Sequence, residues 1–166
     1  MKSKVYLETT IVSYLIASPT DDIVQSAHQQ VTRDWWARRE RFDLFVSRPV
    51  LTEVGRGDAT AAARRLAALT GVPVLSVGRG VAPFANTLLR TGTLPAKARL
   101  DAVHVAIAAV NGMDYLLTWN LRHLANAVIR GKIEEACRKA EIRPPIKSSN
   151  GGERAADAPG NARMAP

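Results

Sequence analysis

Apolar residues in this chain fall into short unbroken runs, separated by longer stretches in which they recur every three or four positions. Runs of the first kind read as buried strands, and stretches of the second kind as helices. Lys4-Val5-Tyr6-Leu7 is the first run. It ends at Glu8, and Thr9 or Thr10 can cap a helix expected over 11–17. A turn at 19–22 leads into a four-spaced stripe, Ile23, Ala27, Val31 and Trp35, which predicts a long amphipathic helix to about Arg41. Leu44-Phe45-Val46 predicts the second strand. Ser47 is placed to cap the next helix, with Pro49 in its first turn and Glu53 in its second. The stretch 55–58 breaks that helix; 59–69 predicts another, stopped by Gly71. A third strand is expected over 72–75, then a helix over about 81–89 and a turn at Gly92.

The stretch 94–123 organises the rest. Pro95 suits a first helical turn, and Gly112 suits a left-handed stop. From Leu100 to Val110 the helix is apolar on nearly every side, which predicts burial. Asp101 and His104 interrupt it, three apart and so neighbours on one face. A carboxylate on a buried helix is costly unless it is paired or binds a metal. Residues 115–118 predict a core strand ending at Trp119-Asn120, with His123 just beyond. Helical sequence follows over 121–140, bent at Gly131, then a short strand over 142–146 that Pro144-Pro145 confine to an edge. Strands alternate with helices throughout, so the fold class is α/β with a parallel sheet flanked by helices.

Composition narrows the picture. The 166 residues suit one domain, expected over 1–147. From Ser148 large apolar residues almost vanish, so 148–166 is expected to be a disordered tail. Lys and Arg outnumber Asp and Glu by 23 to 15, a net charge of +8. That surplus fits a polyanionic partner such as nucleic acid, or a basic membrane-surface patch, or simply a basic soluble surface. Cys137 is the single cysteine, which excludes an intrachain disulfide and fits a reducing compartment. It reads as a small core residue. No apolar run approaches the roughly 20 residues of a membrane span, and a strand begins too soon after Met1 for a secretory signal. A cytoplasmic location is expected. Trp35-Trp36 could stack on bases, but the helical stripe already accounts for Trp35 as core and leaves Trp36 for its edge or a dimer contact.

Four polar positions carry the candidate chemistry: Glu8, Glu53, Asp101 and Asn120. In a parallel sheet the residues after the strands' carboxyl ends gather along one edge. Each acid alone reads as a helix cap or a surface charge. Three together would repel strongly, and a hard divalent cation removes that repulsion. Mg²⁺ or Mn²⁺ suits such oxygens. Glu8, Glu53 and Asp101 are the expected metal ligands, with Asn120 assisting. Zinc would want Cys and His clusters that are missing here. The Gly-x-Ser-x-Gly elbow and the Walker lysine loop are also missing. His104 can donate to Asp101 or to a substrate phosphate, or satisfy a backbone carbonyl. His123 can orient its loop or touch phosphate, and His28 is read as a surface or partly buried residue. Candidate substrate contacts are Thr9, Lys97, Arg99, His104, Thr118, Arg122 and His123.

These segments resemble a known family. Val-Tyr-Leu-Glu-Thr-Thr-Ile-Val-Ser-Tyr-Leu at 5–15 resembles the opening of PIN-domain nucleases, and Ser-Arg-Pro-Val-Leu-Thr-Glu-Val at 47–54 their second acid segment. Leu-Asp-Ala-Val-His-Val-Ala at 100–106 resembles the third, and Leu-Leu-Thr-Trp-Asn-Leu-Arg-His at 116–123 the strand-four segment. The match runs from about Lys4 to Ile146, and its order and spacing carry it. It implies a PIN-like three-layer α/β/α fold around a central parallel sheet of four to five strands. It also implies a Mg²⁺- or Mn²⁺-dependent endoribonuclease leaving 5′ phosphate and 3′ hydroxyl ends. Small bacterial members include VapC-like toxins of type II toxin–antitoxin pairs, which implies a homodimer and a cognate antitoxin. Two positions depart from the pattern: Glu8 and Asn120 stand where Asp is more frequent. They motivate an alternative of another class, a catalytically weak PIN-like module that binds RNA or a protein partner.

Overall fold

In the computed structural model, residues 1–120, 122–124 and 126–145 are described. In chain order the elements are β1 (Ser3–Leu7), α1 (Thr9–Ile16), α2 (Ile23–Trp36), β2 (Phe42–Ser47), α3 (Arg48–Val54), α4 (Ala59–Ala68), β3 (Val74–Leu75), α5 (Val81–Arg90), α6 (Arg99–Val110), β4 (Tyr115–Leu117) and α7 (Ala127–Lys139). The unbroken apolar run of β1 puts it in the middle, where Val5, Tyr6 and Leu7 are fully buried. It pairs in parallel with β2, Val5 opposite Leu44, and with β4, Tyr6 opposite Leu116. β2 pairs in parallel with β3, giving a four-stranded order β3-β2-β1-β4. The fold is therefore α/β, a central all-parallel sheet flanked by helices, consistent with a three-layer α/β/α arrangement. All four strands point one way, so Glu8 after β1, α3 after β2 and Thr118 after β4 open on one edge.

α6 is the buried helix the pattern predicts: residues 102 and 104–109 are all buried. It begins at Arg99, however, and not at Pro95. The stretch from Pro95 closes a separate turn, in which the Ala98 amide donates to the Pro95 carbonyl at 2.8 Å. Gly112 ends the helix region with φ +65°. A methyl built there meets nothing within 4 Å, so substitution acts through the backbone alone. Gly112→Ala is expected to cost about 1–2 kcal/mol, which lowers Tm by roughly 2–8 °C in a domain of this size. A thermal melt checks it.

Several expectations need correction. α2 stops at Trp36, and Arg39–Arg41 form a short 3-10 turn instead of continuing it. Its buried face is also different. Ile23 is 85% and Val31 43% exposed, whereas Gln29 and Thr32 are buried. Polar partners decide that orientation: Gln29 Nε2 donates to the Ser18 carbonyl, and Thr32 Oγ1 receives the Trp119 indole. Trp35 and Trp36 are half-buried, and Trp35 stacks on Phe42. The third strand is only Val74–Leu75. The final helix starts at Ala127, because Asn126 Oδ1 accepts from the amides of Val128 and Ile129 and caps it there. Gly131 lies inside that helix. Residues 142–145 form no strand, although the Pro145 carbonyl accepts from the Leu116 amide at 3.1 Å. Ile146 and the expected tail at 148–166 lie outside the described residues. Among the described residues no helix is long and apolar enough to cross a membrane.

Candidate functional site

The parallel ladder does not stop at Leu7. The Glu8 amide donates to the Leu117 carbonyl, which fixes Glu8 beside the end of β4. Glu8 is buried, and it occupies the N-cap of α1, the place expected for Thr9 or Thr10. Its Oε2 accepts from the Thr10 amide, the Thr10 hydroxyl and the Thr118 hydroxyl. Among the described residues no hydrogen bond reaches Oε1. The cap bond and the two threonine hydroxyls thus share one oxygen of this carboxylate.

Glu53, on α3, is held by the preceding threonine. Thr9 Oγ1 donates to Glu53 Oε2 at 2.6 Å, so two successive threonines fix the two glutamates. The same Oε2 lies 3.0 Å from His104 Nε2. Burial pushes the Glu53 pKa up, but hydrogen bonds from His104 and Thr9 and the charges of His104 and Arg56 outweigh it and hold it below the ordinary range. His104 is almost wholly buried, and its Nδ1 is 2.7 Å from the Tyr6 hydroxyl. That hydroxyl is also 2.7 Å from Ser47 Oγ. Burial, chiefly, raises the Tyr6 pKa far above normal, with Glu8 and Glu53 adding to it, so the phenol keeps its proton. Ser47 stands at the N-cap of α3, but its side chain makes no cap bond and serves Tyr6 instead.

Asp101, in the first turn of α6, belongs to a neighbouring group. Its Oδ1 accepts from Asn120 Nδ2 at 2.9 Å, and its Oδ2 lies 2.6 Å from His123 Nδ1. Asn120 Oδ1 accepts in turn from the His123 amide. The two groups are joined: the Asn120 amide donates to Thr118 Oγ1, and that hydroxyl donates to Glu8. Among the described residues the side chains able to share one metal ion are Glu8, Glu53 and His104, with ligand atoms all within 4.8 Å of one another. The expected floor of three carboxylates is therefore divided. Both Asp101 oxygens are engaged by the loop after β4, and His104, one turn further along α6, stands with the glutamates. His104 does not donate to Asp101, one of the roles open to it in the sequence.

Of the other expected contacts, Thr9 and Thr118 are the half-buried donors that tie the acids together. Lys97, Arg99 and Arg122 are exposed. Three residues were not read as part of the site in the sequence. Tyr6 and Ser47 position His104; a lone tyrosine in an aliphatic buried strand is the available signal, because a buried phenol needs a partner. Trp119 pins the segment between Thr118 and Asn120. Its amide donates to Thr10 Oγ1, its indole donates to Thr32, and its ring stacks on His28 at 4.1 Å with Tyr14 edge-on. An open depression of about 350 Å³ lies elsewhere, lined by Thr87, Lys132 and Lys139 among others, and includes none of these groups.

The donor set fits a divalent cation. Two carboxylates with fixed rotamers supply hard oxygens, and an imidazole stands beside them. Comparison with protein-family models and with curated proteins finds no match.

Proposed function

We propose that this chain is a divalent-metal-dependent endoribonuclease, acting as the toxin of a toxin–antitoxin pair. One observation carries the proposal: Glu8 and Glu53 converge with His104 at the carboxyl edge of a parallel sheet, beside Asp101, Asn120 and His123. The four segments that resemble PIN-domain nucleases contain these residues, and the net charge of +8 suits a phosphate backbone. Glu8 and Glu53 would hold Mg²⁺ or Mn²⁺, with rotamers set by Thr9, Thr10 and Thr118. When bound, the cation supplies Lewis acidity and a water of lowered pKa. Asp101 holds His123 at Nδ1, which leaves Nε2 to meet a phosphate oxygen. Exposed Lys97, Arg99 and Arg122 would hold the RNA backbone. The exposed apolar positions of α2, Ile23, Val24 and Val31, offer a surface for a second copy or an antitoxin.

The neutral Asn120 and the fully engaged Asp101 favour a second reading, an RNA-binding module without useful catalysis. A panel of structured RNAs incubated with the protein in Mn²⁺, in Mg²⁺ and in EDTA separates the two. Metal-dependent cleavage leaving 5′ phosphate ends is the expected result. RNA that is bound yet intact in both metals would favour the binding module.

A further inference from the structure

We infer that His104 is a direct ligand of the cation held by Glu8 and Glu53, so that the centre has two carboxylates and one imidazole. This rests on the metal-dependent reading above and adds to it the donor set and the class of metal.

Four observations lead there. His104 Nε2 and carboxylate oxygens of Glu8 and Glu53 all lie within 4.8 Å of one another. The 3.0 Å between His104 Nε2 and Glu53 Oε2 matches neighbouring ligands on a six-coordinate cation, which sit about 3 Å apart when bonds are roughly 2.1 Å. The far ring nitrogen is fixed as a ligating histidine requires. With a cation in place of the Nε2 proton, Nδ1–H can donate to the Tyr6 oxygen and the Tyr6 O–H to Ser47, so the network around the ring stays satisfied. Finally, Asp101 lies outside that convergent group, its oxygens bonded to Asn120 and His123. The Nε2 position beside Glu53 can hold either a shared proton or a shared cation, and the surrounding hydrogen bonds accept both.

The chemistry has a consequence for selectivity. Mg²⁺ prefers oxygen, whereas an imidazole nitrogen suits transition metals. The centre should favour Mn²⁺ or Fe²⁺ over Mg²⁺ more strongly than a set of carboxylates would.

Pulsed electron paramagnetic resonance on the full-length protein loaded with Mn²⁺ tests this. The expected spectrum shows coupling to one imidazole nitrogen, changing when the histidines carry ¹⁵N. The chain has three histidines, so a His28→Gln/His123→Gln double variant leaves only His104. The coupling should persist in that variant and vanish in His104→Gln, whose folding is checked by circular dichroism. The Mn²⁺/Mg²⁺ affinity ratio should fall at least about tenfold in His104→Gln. Bound Mn²⁺ without nitrogen coupling in the wild-type protein overturns the inference and leaves an all-oxygen nuclease centre standing. Coupling lost from the double variant overturns it likewise. No Mn²⁺ binding at millimolar concentration overturns both this inference and the metal-dependent reading.

Discussion

Glu53→Gln is expected to reduce metal-dependent RNA cleavage by roughly 100-fold or more, since even residues that only support a ligand are worth about 10–100-fold. The substitution keeps shape and the Thr9 contact, but it removes the charge that a divalent cation needs. Mn²⁺ affinity measured by calorimetry should fall with the activity. Stability should respond in a pH-dependent way. The folded-state pKa of Glu53 is depressed, with burial opposing and the His104 and Thr9 hydrogen bonds prevailing. A depressed carboxylate contributes stability above its unfolded pKa, and that contribution is lost as pH falls through the folded value. Metal-free wild type should therefore exceed Glu53→Gln in urea stability at neutral pH, and the gap should close in acid. The group is partly exposed, so the gap should be modest. A gap that widens in acid would contradict this assignment of the Glu53–His104 contact.

Asp101→Asn should behave differently, because Asp101 stands outside the convergent group. Cleavage should fall by about 10–100-fold, the range expected when a residue that orients a neighbouring group is lost. Mn²⁺ affinity should change by less than about tenfold, since neighbours of a metal ligand act weakly on it. RNA affinity should survive, because Lys and Arg contacts to phosphate would supply most of it. The asparagine amide oxygen can still accept from Asn120, so the fold should hold, while His123 loses an ionic partner. Loss of Mn²⁺ binding equal to that of Glu53→Gln would restore the three-carboxylate floor.

Strands β1, β2 and β4 were legible in the sequence because each holds a short apolar run, and because β1 and β2 are rich in residues that suit a buried pleated surface; β3, expected over 72–75, kept only Val74–Leu75. Burial of α6 followed from its apolar circumference, and its end from Gly112. Parallel topology then placed Glu8, Thr118 and Asn120 at one edge without further information. Side-chain partnership was not legible. Asp101 and His104 share a helix face in the sequence, yet they serve different groups, because Tyr6 reaches one and the loop after β4 reaches the other. α2 misled for a related reason. Its apolar stripe is real, but a buried glutamine and threonine with long-range partners take the inner face and leave Ile23 and Val31 exposed. Periodicity reports where apolar atoms lie on a helix; it does not report which polar atoms have partners elsewhere in the chain.

A divalent cation held by Glu8 and Glu53 is expected to drive RNA cleavage. The most direct measurement compares wild type and Glu53→Gln, purified identically, for cleavage of one RNA across a Mn²⁺ titration. The expected result is cleavage by wild type that rises with Mn²⁺, stops with EDTA, and falls roughly 100-fold or more in the variant. Equal cleavage by the two proteins would contradict the claim, and so would wild-type protein that binds Mn²⁺ and RNA yet leaves the RNA intact.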